Sequence, residues 1–157
     1  PGQGTTFRIH FPAAGPRPAA KRAAAVPGAA AGGRGTLLLV DDEEMVAQVG
    51  RLMLERLGYT VFTARSGREA LAIYERQPVD LVVLDMLMPG MGGGETFDRL
   101  RARDPRARVL LASGFSLDGQ ARAIMARGCR GFIQKPFDLE TLAAKVSAAL
   151  QGVAPPA

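Results

Sequence analysis

Leu37-Leu38-Leu39-Val40-Asp41-Asp42-Glu43-Glu44 sets four apolar residues directly against four acidic ones. The apolar run is far short of the ~18 residues that span a bilayer. It is unbroken rather than alternating, which is the pattern of a strand covered on both faces. The period then changes. Val46, Val49, Leu52 or Met53, and Leu57 recur at steps of three and four, so they are read as the inward stripe of a helix that Gly58 caps. A strand, an acidic junction and a helix make the unit from which the rest is read.

The unit repeats downstream. Further strand-length segments lie at Thr60–Ala64, Asp80–Leu84, Arg108–Ala112 and Gly131–Gln134. Ser66-Gly67-Arg68-Glu69 has capping-box spacing and opens a second helix with Ala70, Leu71 and Tyr74, which Pro78 ends. A third helix from about Gly93 to Arg103 turns Phe97 and Leu100 inward. A fourth runs from about Asp118 to Arg127 and stops at Gly128, and a fifth takes Asp138 as N-cap with Leu139, Leu142, Val146 and Leu150 on one face. Five β–α units predict an α/β fold, a five-stranded parallel sheet doubly wound with helices on both faces. Ligands of such sheets bind at the carboxyl ends of the strands, near the switch in strand order.

The 157-residue chain is 47% hydrophobic and 22% charged, which excludes a chain disordered throughout. Its net charge of +5 is not spread evenly. Residues 1–35 hold five basic residues and no acid, and the remainder holds fifteen of each sign. In that first stretch 22 of 35 residues are Gly, Pro or Ala, too little apolar surface to offset the entropy of ordering. Residues 13–35 are therefore read as a basic linker, 36–151 as the folded domain and 152–157 as a flexible tail. Five scattered charges without interleaved aromatics predict no nucleic-acid partner. Arg8 and His10 interrupt any signal-peptide core, so this segment is expected to be cytoplasmic and without membrane contact. Cys129 is the sole cysteine, which excludes intramolecular disulfides and cysteine-cluster metal sites.

Function is sought at the strand tips. The first ends in Asp41-Asp42-Glu43-Glu44, the third in Asp85, the fourth in Ser113-Gly114 and the fifth in Gln134-Lys135-Pro136. An Asp after a strand is often only a turn or cap residue. Read together, three carboxylates, a hydroxyl and a lysine on one rim would repel strongly unless a cation sat among the acids. Few oxygen ligands with room for water suit Mg²⁺. Lys135 is one of only 3 lysines against 17 arginines, and a compact ammonium can meet one oxygen of a phosphoryl group where a guanidinium fork needs more room. Neither GxGxxG nor GxxxxGK[ST] follows the first strand, which argues against dinucleotide and P-loop chemistry.

These motifs, in this order, resemble the receiver domain of two-component response regulators. The resemblance covers residues 36–151 and implies the flavodoxin-like receiver fold. It rests on Leu39-Val40-Asp41-Asp42-Glu43, Val83-Leu84-Asp85-Met86-Leu87-Met88-Pro89-Gly90, Leu111-Ala112-Ser113-Gly114 and Gly131-Phe132-Ile133-Gln134-Lys135-Pro136-Phe137. Carried over, Asp85 resembles the phosphoacceptor. Asp41, Asp42 and Asp85 resemble the Mg²⁺ ligands, with the backbone carbonyl of Leu87 as a further one. Ser113 and Lys135 resemble the phosphoryl-binding pair and Phe132 the switch aromatic, and Pro136 is expected to follow a cis bond. Three features depart from the family pattern: Ser in place of the commoner Thr, Phe without a hydroxyl, and Met91-Gly92-Gly93-Gly94 where a single Gly is usual.

A shorter resemblance covers residues 1–12. Gly2-Gln3-Gly4-Thr5-Thr6-Phe7-Arg8-Ile9-His10-Phe11-Pro12 is similar to the last glycine motif and final strand of a histidine-kinase ATP-binding domain. Phe7, Ile9 and Phe11 would share its buried face and His10 would face solvent. Together the two resemblances imply the C-terminal receiver of a hybrid sensor histidine kinase, whose parent chain can be membrane-anchored. The receiver itself would be a phosphoacceptor switch and not a turnover enzyme. Its partners would be a histidine kinase domain or a histidine-phosphotransfer protein, with a homodimer through helix 4, strand 5 and helix 5 as a further expectation. No output domain is expected after residue 151, so the signal would leave by contact or onward transfer. Two rivals remain in view. A receiver-like interaction module would not need the Asp/Ser/Lys set, and a Mg²⁺-dependent aspartyl phosphohydrolase would need an acid where Leu87 stands.

Overall fold

The structure is a computed structural model and describes residues 33–114 and 119–152. The expectations for the kinase remnant at 1–12, for most of the linker, for the helix start at Asp118 and for residues 153–157 lie outside the described residues. The elements alternate as β1 (Thr36–Val40), α1 (Glu44–Arg56), β2 (Thr60–Ala64), α2 (Gly67–Arg76), β3 (Leu81–Asp85), α3 (Gly93–Arg103), β4 (Val109–Ser113), α4 (Gly119–Ala126), β5 (Gly131–Gln134) and α5 (Leu139–Gln151). All strand pairs are parallel, in the order β2-β1-β3-β4-β5. The chain moves outward from β1 to β2 and then crosses back to β3, so the switch in strand order falls between β1 and β3.

Alternation along the strands divides the core in two. Leu37, Leu39, Leu81, Val83, Leu110 and Ala112 pack with Leu54 of α1 and with Leu142, Val146 and Ala149 of α5. Leu38, Val40, Val82, Leu84, Val109 and Leu111 pack on the other face with Ala70 and Leu71 of α2, Phe97 and Leu100 of α3 and Ile124 of α4. Fully burying one such large side chain contributes about 1.5–3 kcal/mol, which is why the buried positions of β1, β3 and β4 are apolar up to their carboxyl ends.

Local signals hold where a side chain makes the bond itself. The Ser66 hydroxyl accepts the Glu69 N–H at 3.2 Å, and the Glu69 carboxylate accepts the Arg65 N–H at 2.8 Å, a reciprocal cap displaced by one residue. Asp138 caps α5 by accepting the Thr141 N–H at 2.8 Å, and Gly152 closes that helix in the left-handed region.

Two expectations need correction. Strands β3 and β4 run one residue further than their apolar runs, because Asp85 pairs with Ala112 and Ser113 pairs with Gln134 in the ladders. The polar residues are thus the last members of the strands, held by sheet hydrogen bonds rather than by a loop. The inward face of α1 is also displaced. Ala47, Gly50 and Leu54 face the sheet and the expected Met53 and Leu57 pack beside them, whereas Val49 and Leu52 are 48% and 66% exposed. The reason is distance. A Cβ on Gly50 would stand 2.9 Å from Leu39 Cδ2, so small residues let α1 settle where the bulkier Val49 could not.

Close approach also fixes the loop after β3. Gly93 opens α3 with its N–H on the Met86 carbonyl at 3.1 Å, and a Cβ there would lie 2.4 Å from the Asp85 carbonyl oxygen and 2.8 Å from Met86 Cα. These neighbours are backbone and cannot yield as a side chain can. Gly93→Ala should therefore cost about 2–3 kcal/mol of stability. Gly50→Ala, which meets only a leucine methyl and gains helix propensity, should stay within about 1 kcal/mol of the parent. Urea denaturation of the two variants checks the contrast, and equal losses would contradict it.

Candidate functional site

Parallel pairing of β1 with β3 brings their carboxyl ends side by side. Asp41 follows Val40, which pairs with Leu84, and Asp85 is the next residue of β3. Asp41 is 2% exposed and Asp85 5%. With the half-buried Asp42 they each offer a carboxylate oxygen within 4.8 Å of the others. Lys135, at the end of β5, reaches into this group from two strands away. Its ammonium donates to Asp41 Oδ2 at 2.6 Å and lies 3.1 Å from Asp85 Oδ2. The second Asp41 oxygen accepts the Glu43 N–H at 3.1 Å, at the entry to α1.

The remaining residues singled out in the sequence lie along the same rim. Ser113 is buried, and its carbonyl accepts the Lys135 N–H at 2.7 Å, which ties the two strand ends together. The Lys135–Pro136 peptide bond is cis. Leu87 stands 55% exposed just beyond Asp85, its backbone N–H on the Asp85 carboxylate. Phe132 is set back from the carboxylates, half-buried against the core layer shared by α2, α3 and α4.

Comparison with known sequences agrees with this geometry. The sequence profile of the response regulator receiver domain matches residues 37–147. The chain belongs to that family. Among curated relatives, the sensor kinase CckA of Brucella abortus is 39% identical over 159 residues, covering 96% of this chain and 17% of the kinase. The transcriptional regulatory protein YkoG of Bacillus subtilis is 35% identical over 118 residues, covering 75% of this chain and 52% of YkoG. The chain thus spans between about a sixth and about half the length of these relatives. Among solved structures, chemotaxis protein CheY4 of Vibrio cholerae matches with a TM-score of 0.71 and 30% identity, covering 75% of this chain and all of that one. A receiver domain protein from Clostridium thermocellum matches with a TM-score of 0.71 and 27% identity, covering 74% and 94%. This is a phosphoacceptor domain of two-component signalling, with the flavodoxin-like fold. Receiver domains interact with histidine kinases or phosphotransfer proteins. Among the described residues, no helix of this receiver is long and apolar enough to cross a membrane.

The electrostatics of the receiver's rim follow from burial. Burial raises the Asp85 carboxyl above its ordinary value; Lys135 opposes this, and the Asp41 charge adds to it. For Lys135, burial pulls the ammonium down, but the Asp41 hydrogen bond and the charges of Asp85 and Asp41 outweigh it and the net shift is upward. Three carboxylates against one ammonium leave two negative charges crowded beside an open groove. That donor set fits a small hard cation that keeps some of its water.

Periodicity alone missed one part of the site. Met45, Val46, Val49 and Met53 line the groove that opens onto Asp85, so Val46 and Val49 of the expected inward stripe face it, while Met53, with Leu57, also packs against the core. The signal that marks the true inner face is the pair of small residues Ala47 and Gly50 in line with Leu54.

The raised carboxyl has a consequence for stability. A carboxyl whose folded value exceeds its unfolded one opposes folding once ionised. That penalty is absent below the unfolded value of about 3.9 and complete above the folded one. Asp85→Asn should therefore raise the Tm by a few degrees at pH 7 in metal-free buffer, with the gain shrinking as pH falls toward 4. Thermal melts across this range test it, and a lower Tm at pH 7 would mean that the Lys135 contact outweighs desolvation.

Proposed function

We infer that Asp85 is the residue that takes the phosphoryl group, from a phospho-histidine of a kinase domain or histidine-phosphotransfer protein. The observation that carries this reading is the contact of one lysine with both Asp41 and Asp85 at the strand-order switch. A carboxylate already ionised at pH 7 needs no base to attack. An Asp85 oxygen forms a bond to phosphorus as the phosphorus–nitrogen bond of the donor breaks. The electron pair goes to the imidazole nitrogen, which takes a proton from solvent. Such transfer is mainly positioning and charge stabilisation.

Each neighbour has a part in this reading. Lys135 exchanges its carboxylate contacts for one phosphoryl oxygen, and the Ser113 hydroxyl and the backbone N–H groups of the rim receive others. Asp41, Asp42, Asp85 and the Leu87 carbonyl would hold Mg²⁺, which when bound would supply positive charge to offset the acids and the incoming phosphoryl group. Movement of Ser113 toward the phosphoryl group leaves room for Phe132 to turn inward and reshape the surface of α4, β5 and α5, the face we assign to a homodimer. No nucleic-acid partner is included, and we place the domain in the cytoplasm. Residues 1–12 as a kinase remnant, 13–35 as a linker and a hybrid kinase parent are supported by the match to CckA across 96% of this chain. The phosphohydrolase reading finds no support, since exposed Leu87 occupies the place of its acid.

Incubation with acetyl phosphate and Mg²⁺ should add a single phosphoryl group, labile to hydroxylamine, and Asp85→Asn should abolish it. Intact-mass analysis reads both, and equal modification of the variant removes Asp85 from the role. Millimolar Mg²⁺ should raise the Tm of the parent by mass action on the native state, and Asp42→Ala should remove most of that rise.

A further inference from the structure

Among the described residues four polar or charged side chains are buried: Asp41, Asp85 and Ser113 of the rim, and Thr96 of α3, which has no exposed surface. A hydroxyl taken out of water costs free energy unless it is bonded. Thr96 Oγ1 donates to the Gly92 carbonyl at 2.9 Å, and the Thr96 N–H reaches the same oxygen at 3.0 Å. A threonine bonding back four residues is ordinary inside a helix. The backbone it holds here is not. Gly92 is the N-cap of α3 and makes no side-chain cap. Gly90, Gly92, Gly93 and Gly94 give the loop between Asp85 and α3 wide backbone freedom.

Two bonds close the far end of that loop. Thr96 holds the Gly92 carbonyl, and Gly93 donates its N–H to the Met86 carbonyl at 3.1 Å. Met86 stands between Asp85 and Leu87, so a shift of the Gly92 peptide is passed to both. The Thr96 oxygen is also confined from outside by Gly67, the first residue of α2. A Cβ on Gly67 would overlap that oxygen and come within 3.0 Å of Met91 Cγ and Sδ. The Met91 chain can turn aside. The hydroxyl can move only by leaving the Gly92 carbonyl.

We propose that Thr96, seated on Gly67, is a positioning residue for the cation of this domain: its hydroxyl holds the glycine-rich loop so that the Leu87 carbonyl is ready as a ligand. This role rests on the reading of Leu87 and the three carboxylates as the Mg²⁺ ligands. Thr96 acts through the loop. A segment with four glycines loses much backbone freedom when it is fixed, and fixing it beforehand leaves less to lose on binding.

The test is calorimetric titration of the whole chain with Mg²⁺ and no phosphodonor, at a temperature where each variant is folded. Thr96→Ser and Thr96→Ala differ by one oxygen. Thr96→Ser should bind Mg²⁺ within about twofold of the parent and Thr96→Ala about tenfold more weakly, the size of effect usual for a group that orients a metal ligand. Gly67→Ala drives the hydroxyl off the same carbonyl and should weaken binding to a similar degree. The double variant should bind no more weakly than either single one, because both act on one bond. Val146→Ala, a cavity in the other core layer, should lower the Tm and leave the affinity unchanged. Equal affinities of Thr96→Ser and Thr96→Ala would overturn the proposal, and so would a loss in Val146→Ala equal to that in Thr96→Ala. Should Thr96→Ala not fold, parent affinity in Gly67→Ala overturns it and a loss there with binding kept in Thr96→Ser supports it. A parent chain that takes up no Mg²⁺ would instead overturn the cation reading, so the two fail in different ways.

Discussion

The carboxylates at the ends of β1 and β3 repel one another, and the rest of the structure is arranged around holding them together. Lys135 touches both Asp41 and Asp85, yet it comes from β5, two strands beyond β3. Its position depends on its N–H reaching the Ser113 carbonyl at 2.7 Å and on the whole parallel ladder between. One ammonium among three carboxylates does not restore neutrality. The residual negative charge makes a cation a favourable occupant of this rim.

The apolar core serves this arrangement by making the sheet stiff. Every strand position from Leu81 to Leu84 and from Val109 to Ala112 is buried, so neither tip can move without disturbing packing on both faces. Gly93 extends that constraint into the following loop, because its α carbon sits against the Asp85 carbonyl where no side chain fits. A site that must accept and release a group of fixed geometry gains from such rigidity. The surrounding surface is different in character: α1 turns an apolar stripe outward, and Leu87 stands exposed at the edge of the acidic group.

Much of this was legible in the chain itself. Unbroken apolar runs alternating with helical periods implied a parallel sheet with two covered faces, and capping chemistry at Ser66 and Asp138 located two helix starts. Acids and a lysine at successive strand tips pointed to one rim, because the carboxyl ends of parallel strands lie on the same side. Motif order then carried the resemblance to receivers. These inferences rest on covalent order and local periodicity, which the sequence states directly.

What the sequence left open required distances between elements. The ends of β3 and β4 took in Asp85 and Ser113 because ladder hydrogen bonds, unlike hydropathy, do not stop at a polar side chain. The inner face of α1 was settled by how closely a helix can lie on Leu39, and the small Ala47 and Gly50 won that place over the more hydrophobic Val49 and Leu52. Lys135 bonding to Asp41, 94 positions away, is likewise a product of sheet order alone. The sequence by itself determined which residues are chemically able to act and that they share one edge of a sheet. Only the tertiary structure decided which of them touch and which apolar face stays exposed, because contact between elements is set by packing distance, and no local pattern encodes that distance.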